Sequence, residues 1–197
     1  MRRLIYLVRH AAHDEVGRVL SGRSEIALNA AGRAEAAALA AHLSSLSIDA
    51  VFSSPRRRAV ETAAIVAPGR APVIEAALDE IDFGDWTGQR FDALPRDPRW
   101  HAWNAHRATA TVPGGETMHA AAARALDFVR CIDAQAAMCV SHCDVIRGVV
   151  ALAIGLSLDR LLDFDCDPAS VTTLAIEGDH VRLVTLNERP NPLLRSS

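Results

Sequence analysis

The sequence contains no lysine; all 21 of its basic residues are arginine. That absence excludes Schiff-base catalysis and a Walker-type phosphate loop, both of which need a lysine amine. Alanine is abundant beside the arginine, so base composition accounts for the bias more simply than function does. Cysteine is confined to Cys131, Cys139, Cys143 and Cys166, with no CxxC pair. Nothing in that spacing suggests the disulfide framework of a secreted protein. No apolar run approaches the roughly 18 residues of a membrane span. The stretch after Met1-Arg2-Arg3 is too short for a signal peptide. A cytoplasmic protein with no membrane partner is expected. The net charge of −3 also argues against a nucleic-acid partner, since counterion release needs a clustered basic surface.

What is present fits one domain over residues 1–197, long enough to bury a core without staples. Leu4 to Val8 is a continuous apolar run, as expected of a strand buried on both faces. A polar loop follows through Gly22, and Asn29 reads as the N-cap of a helix from about Ala30 to Leu46. A strand is expected at Asp49–Ser53, a helix from Pro55 to about Val66, and a third strand at Pro72–Glu75. Residues 80–115 are rich in Gly and Pro and read as a substrate-side cap with one or two short helices. A helix over Glu116–Ile132, a strand at Ala137–Ser141 and a helix from Asp144 to Ile154, ended by Gly155, come next. Val171–Ile176 and His180–Leu186 flank Glu177-Gly178-Asp179, a hairpin signal. The fold class expected is α/β, a three-layer sandwich whose mixed, mostly parallel sheet carries helices on both faces.

Three polar clusters directly follow buried strands: Arg9-His10, Ser53-Ser54 and Ser141-His142. In a parallel α/β sheet the C-terminal strand ends share one edge, where ligand sites form. Two histidines and an arginine therefore converge, although they lie about 130 positions apart in the chain. Arg58 falls early in the next helix, where backbone N–H groups already favour an anion. Arginine forks and a neutral imidazole around one point suit a phosphoryl group, with the imidazole as nucleophile once its other nitrogen is fixed by a hydrogen bond. Taken singly, each cluster has an ordinary structural explanation.

Together these segments resemble the histidine phosphatase superfamily, the phosphoglycerate-mutase-like proteins. Leu7-Val8-Arg9-His10 resembles the family's opening signature. The run Ser53 to Ala63, with Arg58 before Ala59, is similar to its phosphate-binding segment. Leu78 to Gly88 is similar to the segment bearing the proton donor, which falls on Glu80. Pro113-Gly114-Gly115-Glu116-Thr117 resembles the motif that opens the following helix, and Val140-Ser141-His142 the site of the second histidine. The resemblance covers roughly residues 4–150, with the motifs in family order. It implies that His10 becomes phosphohistidine while Arg9, Arg58 and His142 hold the phosphoryl oxygens. It also implies that Glu80 protonates the leaving alcohol and then helps to deprotonate water; Asp82 is the rival acid.

The chain departs from the family pattern just after the nucleophile, where Ala11-Ala12-His13 and Val16 replace a Gly, an acid, a hydroxyl and an Asn. His13 offers a substitute donor or is an exposed loop histidine. Gly22-Arg23 keeps the Gly before the helix, with Arg23 in reach of substrate. His10, His13 and Asp14 lack further ligands at a recognised metal spacing, and no metal or cofactor is expected. Cys143 reads as a buried inert thiol, while Trp86, Trp100 and Trp103 belong either to the core or to the substrate side. The activity implied is metal-independent hydrolysis of a small phosphate ester, resembling α-ribazole-phosphate and broad-specificity phosphatases. A mutase and an inactive phospho-ligand binding protein are the alternatives. A homodimer stays compatible with the sequence.

Overall fold

The computed structural model describes residues 1–190, so residues 191–197 of the expected domain lie outside the described residues. Six strands form one sheet in the order β3-β2-β4-β1-β5-β6. These are β1 (Arg3–Arg9), β2 (Ala50–Ser53), β3 (Val73–Ile74), β4 (Ala136–Ser141), β5 (Val171–Glu177) and β6 (His180–Glu188). The pairs β3–β2, β2–β4 and β4–β1 are parallel, whereas β1–β5 and the β5–β6 hairpin are antiparallel.

The apolar run of β1 is explained by its central position. Successive strand side chains point to opposite faces. Ile5 and Leu7 enter one core layer with Val129, Val145 and Val149, from helices α4 (Met118–Cys131) and α5 (Cys143–Ile154). Tyr6 and Val8 enter the other with Leu39, Ala59 and Ala63, from α1 (Ala30–His42) and α2 (Arg57–Val66). Both faces are thus covered, as the sequence implied. Among the described residues no helix is long and apolar enough to cross a membrane.

Several boundaries differ from the sequence reading. Helix α1 ends at His42 rather than Leu46, capped by Leu43 with its N–H on Leu39 O and Ala41 O. Ser44 Oγ also donates to Ala41 O at 2.7 Å, competing with helix continuation. Pro55 lies ahead of α2, whose N-cap is the extended Arg56. Strand β3 has only two residues. A 3₁₀ segment at Leu158–Asp163 had no signal strong enough to read.

Residues 80–115 hold two 3₁₀ turns, Gly84–Trp86 and Leu94–Arg96, and the helix α3 (Pro98–Ala105). Trp86 and Trp103 are buried there with Ile81, Phe83, Leu94 and Met118, a third apolar cluster separate from the two flanking the sheet. Two of the three tryptophans are therefore core residues.

Gly32 joins α1 to the loop after β1. A Cβ at this position would stand 1.9 Å from Ala12 O, so no other residue fits without movement. Asn29 caps the helix by accepting from Gly32 N at 2.8 Å and donates its own N–H to Ala12 O at 3.2 Å. Ala12 N in turn donates to Glu35 Oε2.

Candidate active site

β2, β4 and β1 are neighbours in the sheet and parallel, so their C-terminal ends deliver Ser54, His142 and His10 side by side. The backbone locks this edge: His10 N donates to Ser141 O, and Ser54 N to Val140 O, each at 2.9 Å. The His10 and His142 ring centroids are 5.2 Å apart.

His10 is buried, and its Nδ1 lies 2.9 Å from Ala11 O. A carbonyl only accepts, so Nδ1 carries the proton and Nε2 keeps its lone pair. Burial, with the charges of Arg58 and Arg9, holds the His10 pKa well below 6.5. The imidazole is therefore neutral at physiological pH. Ala11 is accommodated without positive φ, its N–H donating to Thr62 Oγ1 at 3.0 Å.

Arg58 is almost wholly buried. It donates through Nη1 to Ser24 O at 2.9 Å, and through Nη2 to Gly22 O at 2.6 Å and His142 Nδ1 at 3.1 Å. Arg9 Nη1 donates to Cys166 O at 2.6 Å. Both guanidiniums keep a buried Nε–H without a partner among the described residues. Unpaired buried donors are costly, and both guanidiniums act electrostatically on the His10 ring. Gly22, at φ +50°, supplies the carbonyl that Arg58 needs, and a Cβ there would press on Thr87 Oγ1 at 2.9 Å.

His142, which the resemblance assigns to the phosphoryl oxygens, is fully buried beside Arg58. Its Nδ1 accepts from Arg58, and its Nε2 donates to Ser54 Oγ at 2.7 Å. With both nitrogens engaged and no surface exposed, it presents no free donor to a ligand. Ser54 relays this contact to Asp79 Oδ1, which Arg56 Nε also meets, at 2.9 Å. Ser54 carried no special signal beyond its place at a strand end.

Glu80 is buried with Oε2 3.7 Å from His142 Nδ1, while Ile81 N donates to Oε1 at 3.0 Å. Burial first, and then the negative charge of Asp144, push its pKa up to about 8. Asp82 is different: its carboxylate is 42% exposed, accepts from Gly84 N and pairs with Arg23. Arg23 is engaged in holding the Glu80 segment, with Nε on Glu80 O at 2.9 Å and Nη2 on Glu116 Oε1 at 2.8 Å. Arg124 grips Asp79 O, Glu80 O and the same Glu116 oxygen. The Gly-Gly-Glu motif thus anchors the strand-like segment bearing Glu80.

A cavity of about 460 Å³ opens over this edge. Arg9, His10, His13, Gly22 and Glu80 line it; Arg23, Arg58, Asp82 and His142 do not. His13 is buried rather than exposed, 5.2 Å from the His10 ring, and burial with the nearby arginine charges lowers its pKa to about 4. Cys143 also lines the cavity and is only half-buried, contrary to its reading as a buried thiol. Trp100 and Phe91 line it from the 80–115 stretch, joined by Arg107, Asp144 and Arg147, which no sequence motif marked. Among the described residues no group of three or more His, Cys, Asp or Glu side chains is arranged to hold a metal ion.

Comparison with known proteins bears on this geometry. A model of the histidine phosphatase superfamily (branch 1) matches residues 5–189. Phosphoserine phosphatase 1 of Hydrogenobacter thermophilus is 28% identical over 195 residues, covering 93% of this chain and 91% of the relative. The adenosylcobalamin/alpha-ribazole phosphatase of Escherichia coli is also 28% identical, covering 94% and 96% of the two chains. A mycobacterial glucosyl-3-phosphoglycerate phosphatase structure superposes with a TM-score of 0.82 at 25% identity, over 95% of this chain and 99% of that one.

Proposed function

Because the chain belongs to the histidine phosphatase superfamily, branch 1, we propose that it hydrolyses the phosphomonoester of a small metabolite through a phosphohistidine on His10. The observation that carries the reading is the His10 tautomer: Nδ1–H bound to Ala11 O leaves Nε2 as a lone pair, on a ring that feels the charges of Arg58 and Arg9. The relatives named above are phosphatases, which favours water over a second alcohol as phosphoryl acceptor.

In the first step Nε2 attacks phosphorus, the bond from phosphorus to the ester oxygen breaks, and the electron pair leaves with that oxygen. Arg9, which lines the cavity, and Arg58, which reaches the same oxygens from behind it on a small side-chain shift, donate to the equatorial oxygens and offset the developing charge. Glu80, protonated up to about pH 8, gives its proton to the departing alkoxide. In the second step the Glu80 carboxylate takes a proton from water as the water oxygen attacks phosphorus. The N–P bond breaks, Nε2 regains its lone pair, and inorganic phosphate leaves. His142 acts through Arg58, fixing the guanidinium by accepting from Nη2. Arg23 acts through Glu80, fixing its backbone. His13 and Gly22 shape the mouth. Residues about 80–115 serve as the substrate-side cap, since Phe91 and Trp100 line the cavity from there. The scheme uses no metal or other cofactor, and we place the enzyme in the cytoplasm, where its four cysteines stay as thiols.

Hydrolysis of p-nitrophenyl phosphate in EDTA tests the scheme. The wild type is expected to turn over, and His10→Ala to lose at least about a thousandfold in kcat. A rapidly quenched wild-type reaction should carry an acid-labile, alkali-stable phosphoryl group on His10. Undiminished turnover in His10→Ala removes the nucleophile, and loss of turnover in EDTA removes the metal-free mechanism. An inactive wild type across a panel of phosphate esters supports the binding-protein alternative.

A further inference from the structure

Beyond the phosphoryl site the cavity wall carries a second cluster of charge. Arg107, just after α3, is 6% exposed, and its guanidinium carbon stacks 4.2 Å from the Trp103 ring centroid. Its Nη2 donates to Asn104 Oδ1 at 2.7 Å, but Nε and Nη1 are buried without hydrogen-bond partners among the described residues. Asp144 Oδ2 lies 3.6 Å from Nη1, beyond hydrogen-bond range. Arg147, one turn along α5 from Asp144, has its Nη1 3.9 Å from Asp144 Oδ1 and a buried, unpartnered Nε. Its Nη2 is 4.0 Å from Asp165, whose side chain is 85% exposed and well screened. All three of Arg107, Asp144 and Arg147 line the cavity, as do the apolar Phe91, Trp100 and Leu162.

A buried arginine with unmade hydrogen bonds is costly unless a ligand completes it. An ordinary structural ion pair would close at about 2.8 Å, with the carboxylate accepting hydrogen bonds from the arginine N–H groups. Asp144 instead stands off from both arginines, offsetting one charge without satisfying either fork. Among the described residues, against the two guanidiniums stand only this displaced Asp144 and the exposed, solvent-screened Asp165, and both arginines line the one cavity. That suits a monoanion with planar acceptor geometry better than a second phosphate dianion. The cluster also lies on the Glu80 side of the site: Asp144 stands in the first turn of α5, two residues after His142, and its charge is felt at Glu80. Groups near the proton donor face the alcohol half of an ester, not its phosphoryl half.

We propose that Arg107 and Arg147, with Asp144 between them, form a subsite for a carboxylate on the alcohol portion of the substrate, making the enzyme selective for phosphorylated hydroxy or amino acids. This rests on the phosphatase reading above. Arg107 sets the carboxylate's plane from its stacked position on Trp103, and Arg147 closes the other side. Asp144 keeps the pair from attracting a dianion and is available to a hydroxyl or ammonium on the neighbouring carbon.

The test compares kcat/KM for 3-phosphoglycerate and glycerol 3-phosphate, which differ only by a carboxylate in place of a hydroxymethyl group. The wild type should prefer the carboxylate by at least about tenfold, mainly through KM, as expected of one charge-assisted contact. Arg107→Gln and Arg147→Gln should each cut that preference severalfold or more, losing more on 3-phosphoglycerate than on glycerol 3-phosphate. If Arg107→Gln loses its near-ultraviolet dichroism and so its packing, Arg147→Gln alone reads the subsite. A wild-type ratio near one, or a ratio unmoved in the folded variants, overturns the proposal. So does a preference for propanediol bisphosphate over 3-phosphoglycerate, which would mark a second phosphate site. Failure of the parent reading looks different: no ester is turned over at all, and calorimetric affinities for the same two compounds then decide whether the carboxylate subsite exists.

Discussion

Glu80 shows at the scale of one residue how function and stability are set against each other. An ordinary glutamate titrates near 4.5, whereas burial and Asp144 bring this one to about 8. Between those values the folded chain binds a proton that the unfolded chain does not, so stability falls as pH rises from 4.5 towards 8. At pH 7 the accumulated penalty is about 3 kcal/mol. Glu80→Gln removes the titration, so the variant should be more stable than the wild type at pH 7 by up to that amount. The advantage should vanish below pH 4.5, as denaturant midpoints across pH will report. The same substitution should lower kcat for alkyl phosphates by about 10²–10⁴-fold. The loss should be smaller for p-nitrophenyl phosphate, whose leaving group departs without a proton. In the wild type, kcat for alkyl phosphates should fall on the alkaline side with a midpoint near 8. Its acid side should hold below 6.5, because the His10 pKa lies well below that value. Asp82→Asn should reproduce none of these changes, since Asp82 does not line the cavity. Glu80 and Asp82 are alike as sequence; burial separates them, and burial depends on Arg23 from one distant segment and on Glu116 and Arg124 from another.

Among the elements, helix α1 has an unexpected share in the site. Through Gly32 and Asn29 it fixes Ala12, two residues from the nucleophile. Gly32→Ala should cost about 1–3 kcal/mol by overpacking and should lower kcat through displacement of the His10 loop. Ala34→Gly, on the exposed face of the same helix, should lower stability by about 1 kcal/mol through helix propensity and leave turnover at the wild-type level. Thermal melts and turnover, measured on both, separate the two effects. The strands and helices that carry His10, Arg58 and His142 were legible because each rests on a local pattern: an apolar run, a proline-led helix start, a strand ending in polar residues. Helix α1 ended early because a serine hydroxyl, without the usual glycine, stopped it. Arg107 and Arg147 were not legible among 21 chemically identical arginines. Asp144 and Arg147, three apart on a helix that opens at His142, were the one local cue, and the cue needed Arg107 from another element to acquire meaning.

At the scale of the molecule, two families of buried titrating groups oppose each other. His10, His13 and His142 all have pKa values below 6.5 in the folded chain. Unfolding below 6.5 therefore takes up protons, and stability is lost as pH falls. Glu80 removes stability in the other direction, as pH rises from 4.5 towards 8. Thermal midpoints should accordingly peak near pH 6.5, with Glu80→Gln flattening the alkaline slope and His13→Gln easing the acid one. The sheet order has a different kind of consequence, which falls on biosynthesis. β1 pairs with β4 and β5, so Leu7 meets Cys139 on one side and Thr172 on the other. Pairings of such sequence separation form slowly, and they cannot form at all until the later strands have been made. During translation the apolar run Leu4–Val8 therefore waits outside the ribosome for more than a hundred residues without either neighbour. For that interval the strand that will present the nucleophile is an exposed hydrophobic segment, open to holding chaperones and to self-association when expression outruns them.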